Sequence, residues 1–130
     1  MMMFIGHGLP KIKNYGAMKD LFPVPQTFPV SLLTPPMSLG LCIVAEVGAA
    51  ILIILGLATR PAAFVLGLCM TVAAFAFHGS APWFQNTPTL VETKELPIMY
   101  LIAMVAIILG GAGSYSLDAL LYKEDKRRRW

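Results

Sequence analysis

The sequence predicts an all-α, polytopic membrane protein: an up-and-down four-helix transmembrane bundle whose first helix is truncated in this chain. Three observations predict it. Hydrophobic residues make up 57% of only 130 positions and charged residues 13%, a mixture too apolar for a small soluble core to hide. Prolines gather between long apolar stretches, whose lengths approach what a bilayer requires. A lone carboxylate, Glu46, stands at the middle of one of those stretches.

Residues 1–9, MMMFIGHGL, are apolar and helix-prone but reach only about 13 Å at helical rise, too little to cross alone. They lack the basic n-region and cleavage site of a signal peptide. The expectation is that the native polypeptide starts upstream and that this run is the last half of a first transmembrane helix. Pro23, Pro25, Pro29, Pro35 and Pro36 then make an extended, poorly helical connection. Residues 37–58 form the first full span, about 33 Å as a helix. Ala58-Thr59-Arg60-Pro61 is a tight turn, which makes this helix and the next, 61–78, antiparallel neighbours. Pro82, Pro88 and Pro97 mark the following connection, and the last span, 96–112, ends at Gly110, Gly111 and Gly113. The transmembrane domain is therefore 1–122, followed by a basic cytoplasmic tail, 123–130.

Net charge is +3, most of it from Lys123, Lys126, Arg127, Arg128 and Arg129. Basic residues just beyond an apolar segment are the cytoplasmic flank of a membrane helix, so the partner they imply is the lipid bilayer and not nucleic acid. Together with Arg60 they place six cations on one side of the bundle, against Lys11, Lys13, Lys19 and Lys94 on the other. That bias puts the Arg60 turn and the C-terminus inside. Small residues at four-residue spacing, Ala45/Ala49, Ala63/Gly67/Thr71 and Ala106/Gly110, predict contact seams between helices.

An ionised Glu46 at mid-span needs a partner, a proton or water, so it should face other helices and mark a functional site. The topology brings further polar groups to the outer half of the bundle. His7 and Lys11 are four residues apart on one helix face, His78 ends the third helix, and Glu92 and Glu95 precede the fourth. Such a cluster suits proton exchange, with Glu46, His7 and His78 as its working groups and Lys11, Glu92 and Glu95 binding a substrate. Each has a plainer role too: a structural acid, interfacial histidines bonded to a carbonyl, a snorkelling lysine. Arg60 lies about 21 Å along the axis from Glu46, which leaves it a turn residue anchored to phosphate.

Cys42 and Cys69 enter from opposite sides and are expected to differ in depth by roughly 10 Å, so no disulfide is expected. No CxxC pair and no Cys/His ligand spacing is present, which removes thioredoxin-like, zinc and iron–sulfur readings, and no metal is expected. A haem bridged by His7 and His78 has no further support. Gly111-Ala112-Gly113 follows a membrane helix, so it is not a dinucleotide loop.

Gly6-His7-Gly8 followed by Lys11, Glu46 in the second span, Gly56-Leu57 with Thr59-Arg60 at the turn, His78, and Gly111-Ala112-Gly113-Ser114-Tyr115-Ser116-Leu117-Asp118 form an ordered set. In that set the chain resembles DoxX-family membrane proteins from Gly6 to Asp118. The resemblance implies a four-helix protein of the prokaryotic inner membrane, associated with quinone-linked or thiol-related oxidoreductase systems. The leading expectation is a small membrane subunit that holds a quinone or similar redox lipid at the Glu46/His cluster while electrons arrive from a separate redox partner protein. No covalent cofactor is expected; quinone is the noncovalent one. The rival is a noncatalytic scaffold, or a small proton-coupled transporter or lipid-binding bundle, for which a homo-oligomer with Glu46 along a water-filled path is the natural form.

Overall fold

The computed structural model describes residues 1–26, 28, 30–85 and 93–121, and among them it is helical with no strand. Pro29, Pro88, Glu92 and the tail 123–130 lie outside the described residues. Helix α1 is a π-helical turn, Phe4–Gly8, running on as Leu9–Lys13, and α2 is the short Tyr15–Met18. Helix α3 is Pro35–Leu55, α4 is Thr59–Phe77 and α5 is Glu95–Gly110. Among the described residues, only α3 and α4 are long and apolar enough to cross a membrane; α5, at 16 residues, is shorter.

Local chemistry explains the boundaries. Pro10 has no N–H and would crowd the preceding turn of a regular helix, and the widened turn just before it carries the chain past without a break. Helix α1 thereby outruns the expected 1–9 and carries Lys11 within its last turn. Pro35 and Pro36 open α3 after an extended Thr34, where a missing N–H does no harm. Gly56 closes α3 in the left-handed conformation, with Gly56 N–H donating to Ile53 O and Leu57 N–H to Leu52 O. That stop falls before the expected 58, because positive φ at Gly56 cannot continue a helix. Helix α4 begins two residues earlier than expected, at Thr59, since Pro61 is tolerated in a first turn.

The packing is inverted relative to a water-soluble core. The centre is built from Ala45, Ala49, Ala62 and Ala63 with Met3, Leu66, Met70 and Met104, while Leu41, Ile54, Phe64, Leu68, Ile102 and Leu109 are each more than half exposed. Small residues inside and large apolar residues outside suit helices that approach each other through van der Waals contact and face lipid. Gly67 faces Met104 and Leu101 of α5, so the Ala45/Ala49 and Ala63/Gly67 seams form as expected. Ala106/Gly110 does not: Ala106 is exposed and nothing lies within 4 Å of a Cβ placed on Gly110. That face of α5 points away from α4, because one helix can offer its seam to only one neighbour at a given height. Gly8 abuts Val47, leaving no room for a side chain, while Lys11 further along α1 meets Cys42 earlier on α3. The two helices are therefore antiparallel.

Candidate functional site: a lysine, a glutamate and two thiols

Glu46 sits in a π-helical turn of α3, Val44–Ala49, and is 4% exposed. Its partner is Lys11. The ammonium donates to Oε1 at 2.5 Å and Oε2 at 2.6 Å, an ion pair that ties α1 to α3. Lys11 Nζ also donates to Cys42 Sγ at 3.3 Å, and Cys42 Sγ donates to Glu46 Oε1 at 3.3 Å. Cys42 and Glu46 are four residues apart, so the thiol and the carboxylate share one face. Helix α4 adds Cys69, and the two sulfurs and the nearest carboxylate oxygen all lie within 4.8 Å of one another.

The expected depth difference between the cysteines is thus overturned. Cys42 lies 14 residues before Gly56 and Cys69 lies 11 after Ala58, a mismatch of about 5 Å at helical rise. The π-helical turn between Cys42 and Gly56 takes up extra residues per turn and reduces it further. Lys11 as a purely snorkelling residue is corrected as well, since its side chain turns inward and is only 19% exposed.

The remaining predicted groups lie around this centre with other partners. His7, one turn before Lys11, is half-buried and meets the Tyr100 ring of α5 edge-on, with centroids 6.4 Å apart and planes at 85°. His78 follows α4, with its backbone N–H on Ala73 O and its Nδ1 buried with no partner among the described residues. Glu95 Oε2 accepts the Gln85 N–H at 3.2 Å. Glu92 lies outside the described residues. Among the described residues the hydrogen bonds to the Glu46 carboxylate come from Lys11 and Cys42, and none from a histidine. Lys94, counted only as a flanking charge, is buried, donating to Gly79 O at 2.8 Å and lying 5.0 Å from the Trp83 ring centre.

At the opposite end of α3 and α4 a second polar assembly closes the turn. Asp118 Oδ1 accepts the Ala58 N–H at 2.7 Å and Oδ2 the Thr59 N–H at 2.9 Å, while Asp118 N–H donates to Gly56 O at 2.8 Å. The Thr59 N–H above all, with that of Ala58, holds the Asp118 carboxyl below the usual carboxylate range. A carboxylate at a helix N-terminus also complements the exposed amides there. Ser116 packs so closely on Gly56 that a Cβ there would lie 2.6 Å from its own, and the Arg60 guanidinium lies against Gly111. This end is a structural clasp.

Chemically, the Lys11 centre offers an acid, a base and two sulfur atoms in an apolar setting. Cys42, Glu46 and Cys69 also have the donor spacing of a metal triad, but the Lys11 ammonium already lies against two of the three and supplies the positive charge a cation would bring. The signal that finds the cysteines in the sequence is the Cys42–Glu46 spacing together with the hairpin count to Cys69. The Lys11 pairing has no local signal, because it depends on how α1 docks.

Comparison with known proteins places the chain in a family. The DoxX family model matches residues 1–79, a stretch that includes Lys11, Cys42, Glu46 and Cys69. An uncharacterised protein of Haemophilus influenzae is 33% identical over 122 residues, spanning 94% of this chain and 84% of its own length. A second uncharacterised protein of the same organism is 26% identical over 130 residues, spanning 98% of this chain and 81% of its own. No solved structure matches. With the family model over more than half its length, and a relative above 30% identity along nearly all of it, this membrane protein belongs to the DoxX family.

Proposed function

We propose that this chain is a multi-pass subunit of the prokaryotic inner membrane that holds a quinone or similar redox-active lipid beside Lys11 and Glu46 and works with a separate redox partner. In this reading α1, α3, α4 and α5 form a four-helix bundle with the Arg60 turn and the C-terminus on the cytoplasmic side. The observation that carries it is the convergence of Lys11, Cys42, Glu46 and Cys69 from three helices on one apolar spot. Ionisable groups away from the membrane surface are expensive to keep, and they mark paths for protons or ligands.

The roles follow from charge. The Lys11 ammonium stabilises negative charge developing on a carbonyl oxygen, and Glu46 exchanges a proton with it. His7, one turn along α1, and His78, whose Nδ1 is buried with no hydrogen-bond partner among the described residues, are the further candidates for relaying that proton. Mass spectrometry of small molecules copurifying with the detergent-solubilised protein tests the reading. Stoichiometric quinone that is lost in Glu46→Gln supports it; phospholipid alone in both proteins sinks it.

One observation favours a second reading, a noncatalytic scaffold or carrier. Lys11 binds both oxygens of Glu46, which is what a purely structural staple between α1 and α3 requires. A staple tolerates joint replacement by apolar residues of similar size, so a Lys11→Met/Glu46→Leu protein that retains full activity of its redox system would decide for the scaffold.

A further inference from the structure

The redox-lipid reading gives tasks to Lys11 and Glu46 and leaves the two thiols without one. They are the chain's only cysteines, both free, and they lie on adjacent antiparallel helices. The helices approach closely here, where Ala45 and Ala49 on α3 share one buried cluster with Ala62, Ala63 and Leu66 on α4. The sulfurs are within 4.8 Å, a gap that side-chain rotation can close toward the roughly 2.05 Å of a disulfide. Around Cys42 both needs of thiol oxidation are present. The Lys11 ammonium donates to its sulfur and compensates charge there as the S–H proton leaves, and Glu46 Oε1 is the acceptor of that proton. A bound divalent cation would need the space and charge that Lys11 already provides.

We propose that Cys42 and Cys69 are a reversible dithiol–disulfide pair that gives its electrons to the redox lipid held at Lys11–Glu46. The step balances without any further reactant. Two S–H bonds break and one S–S bond forms; two electrons and two protons pass to a quinone, whose two carbonyl oxygens become hydroxyls. Glu46 carries the Cys42 proton. The thiol pair is thus the immediate electron donor, and a separate partner acts earlier, by reducing the disulfide. The identity of the oxidant rests on the redox-lipid reading; the pair itself rests on the geometry.

The test uses the full chain in detergent, reduced, freed of reductant and kept from air. It is treated with duroquinone, whose ring carbons are all methylated and resist thiol addition, and separately with the thiol oxidant diamide. Alkylatable cysteines are counted by intact mass. Duroquinone is expected to take the protein from two alkylatable cysteines to none, with loss of two hydrogens and one equivalent of hydroquinone formed. Cys42→Ser and Cys69→Ser should each keep the remaining thiol alkylatable and form no hydroquinone. Oxidation by diamide but not by duroquinone overturns the electron transfer and leaves a disulfide pair, while the redox-lipid reading stands or falls separately on copurifying quinone. Oxidation by neither overturns the pair itself, whatever lipid copurifies. Stoichiometric zinc that blocks alkylation until a chelator is added overturns it in favour of a metal site.

Discussion

Glu46 and Asp118 are both carboxylates holding partners on other helices, yet their surroundings make opposite predictions. Glu46 is buried against Lys11, so removing one member leaves a charge stranded in apolar surroundings. Lys11→Met alone should lower stability by about 3–5 kcal/mol, and adding Glu46→Leu should restore most of it, as read by thermal unfolding in detergent. Asp118 faces solvent, and its carboxyl is held below the usual range by the N–H groups of Thr59 and Ala58. A lowered folded-state pKa means that its contribution is present above the unfolded value of about 3.9 and disappears as pH falls through the folded value. Wild type and Asp118→Asn should therefore differ in Tm at neutral pH and converge in more acidic buffer below the carboxylate range. Parallel curves down to that range would show that the clasp does not depend on the charge.

Helix contacts make equally specific demands. A methyl at Gly8 would overlap Val47, so Gly8→Ala should push α1 off α3 and cost about 1–3 kcal/mol, as read by thermal unfolding in detergent. Gly110→Ala meets nothing and should be neutral or stabilising by up to about 1 kcal/mol. Equal effects at the two glycines would contradict the packing. These contrasts also show why some of the fold was readable in advance. The hairpin of α3 and α4 is written locally in Gly56, Pro61 and the apolar runs beside them, and it was legible to within three residues. The burial of Glu46 was legible from its own isolation. The docking of α1 was not, because small residues recur on several faces and only the third dimension selects among them. Ala106/Gly110 was a misleading seam for that reason, and the meeting of Lys11, Cys42 and Cys69 stayed hidden behind a linker of about twenty residues and a π-helical turn.

The long helices α3, α4 and α5 carry large apolar residues on their outer faces and are fastened at both ends, by Lys94 with Gly79 and Trp83 at one and by Asp118 with Ala58 and Thr59 at the other. If the bundle spans as proposed, these ends face opposite compartments. On a background of Cys42→Ala and Cys69→Ala, a membrane-impermeant maleimide applied to intact cells should label Gln85→Cys and spare Ser114→Cys until the membrane is opened. Labelling of both from outside would refute the crossing. The Asp118 clasp also sets an order for biogenesis. Its carboxylate lies 60 residues downstream of the Ala58 amide it holds. At about 5–20 residues per second, the first turn of α4 is synthesised about 3–12 s before its cap. The α3–α4 hairpin is therefore made before the residue that caps it, and a later stretch of chain locks it.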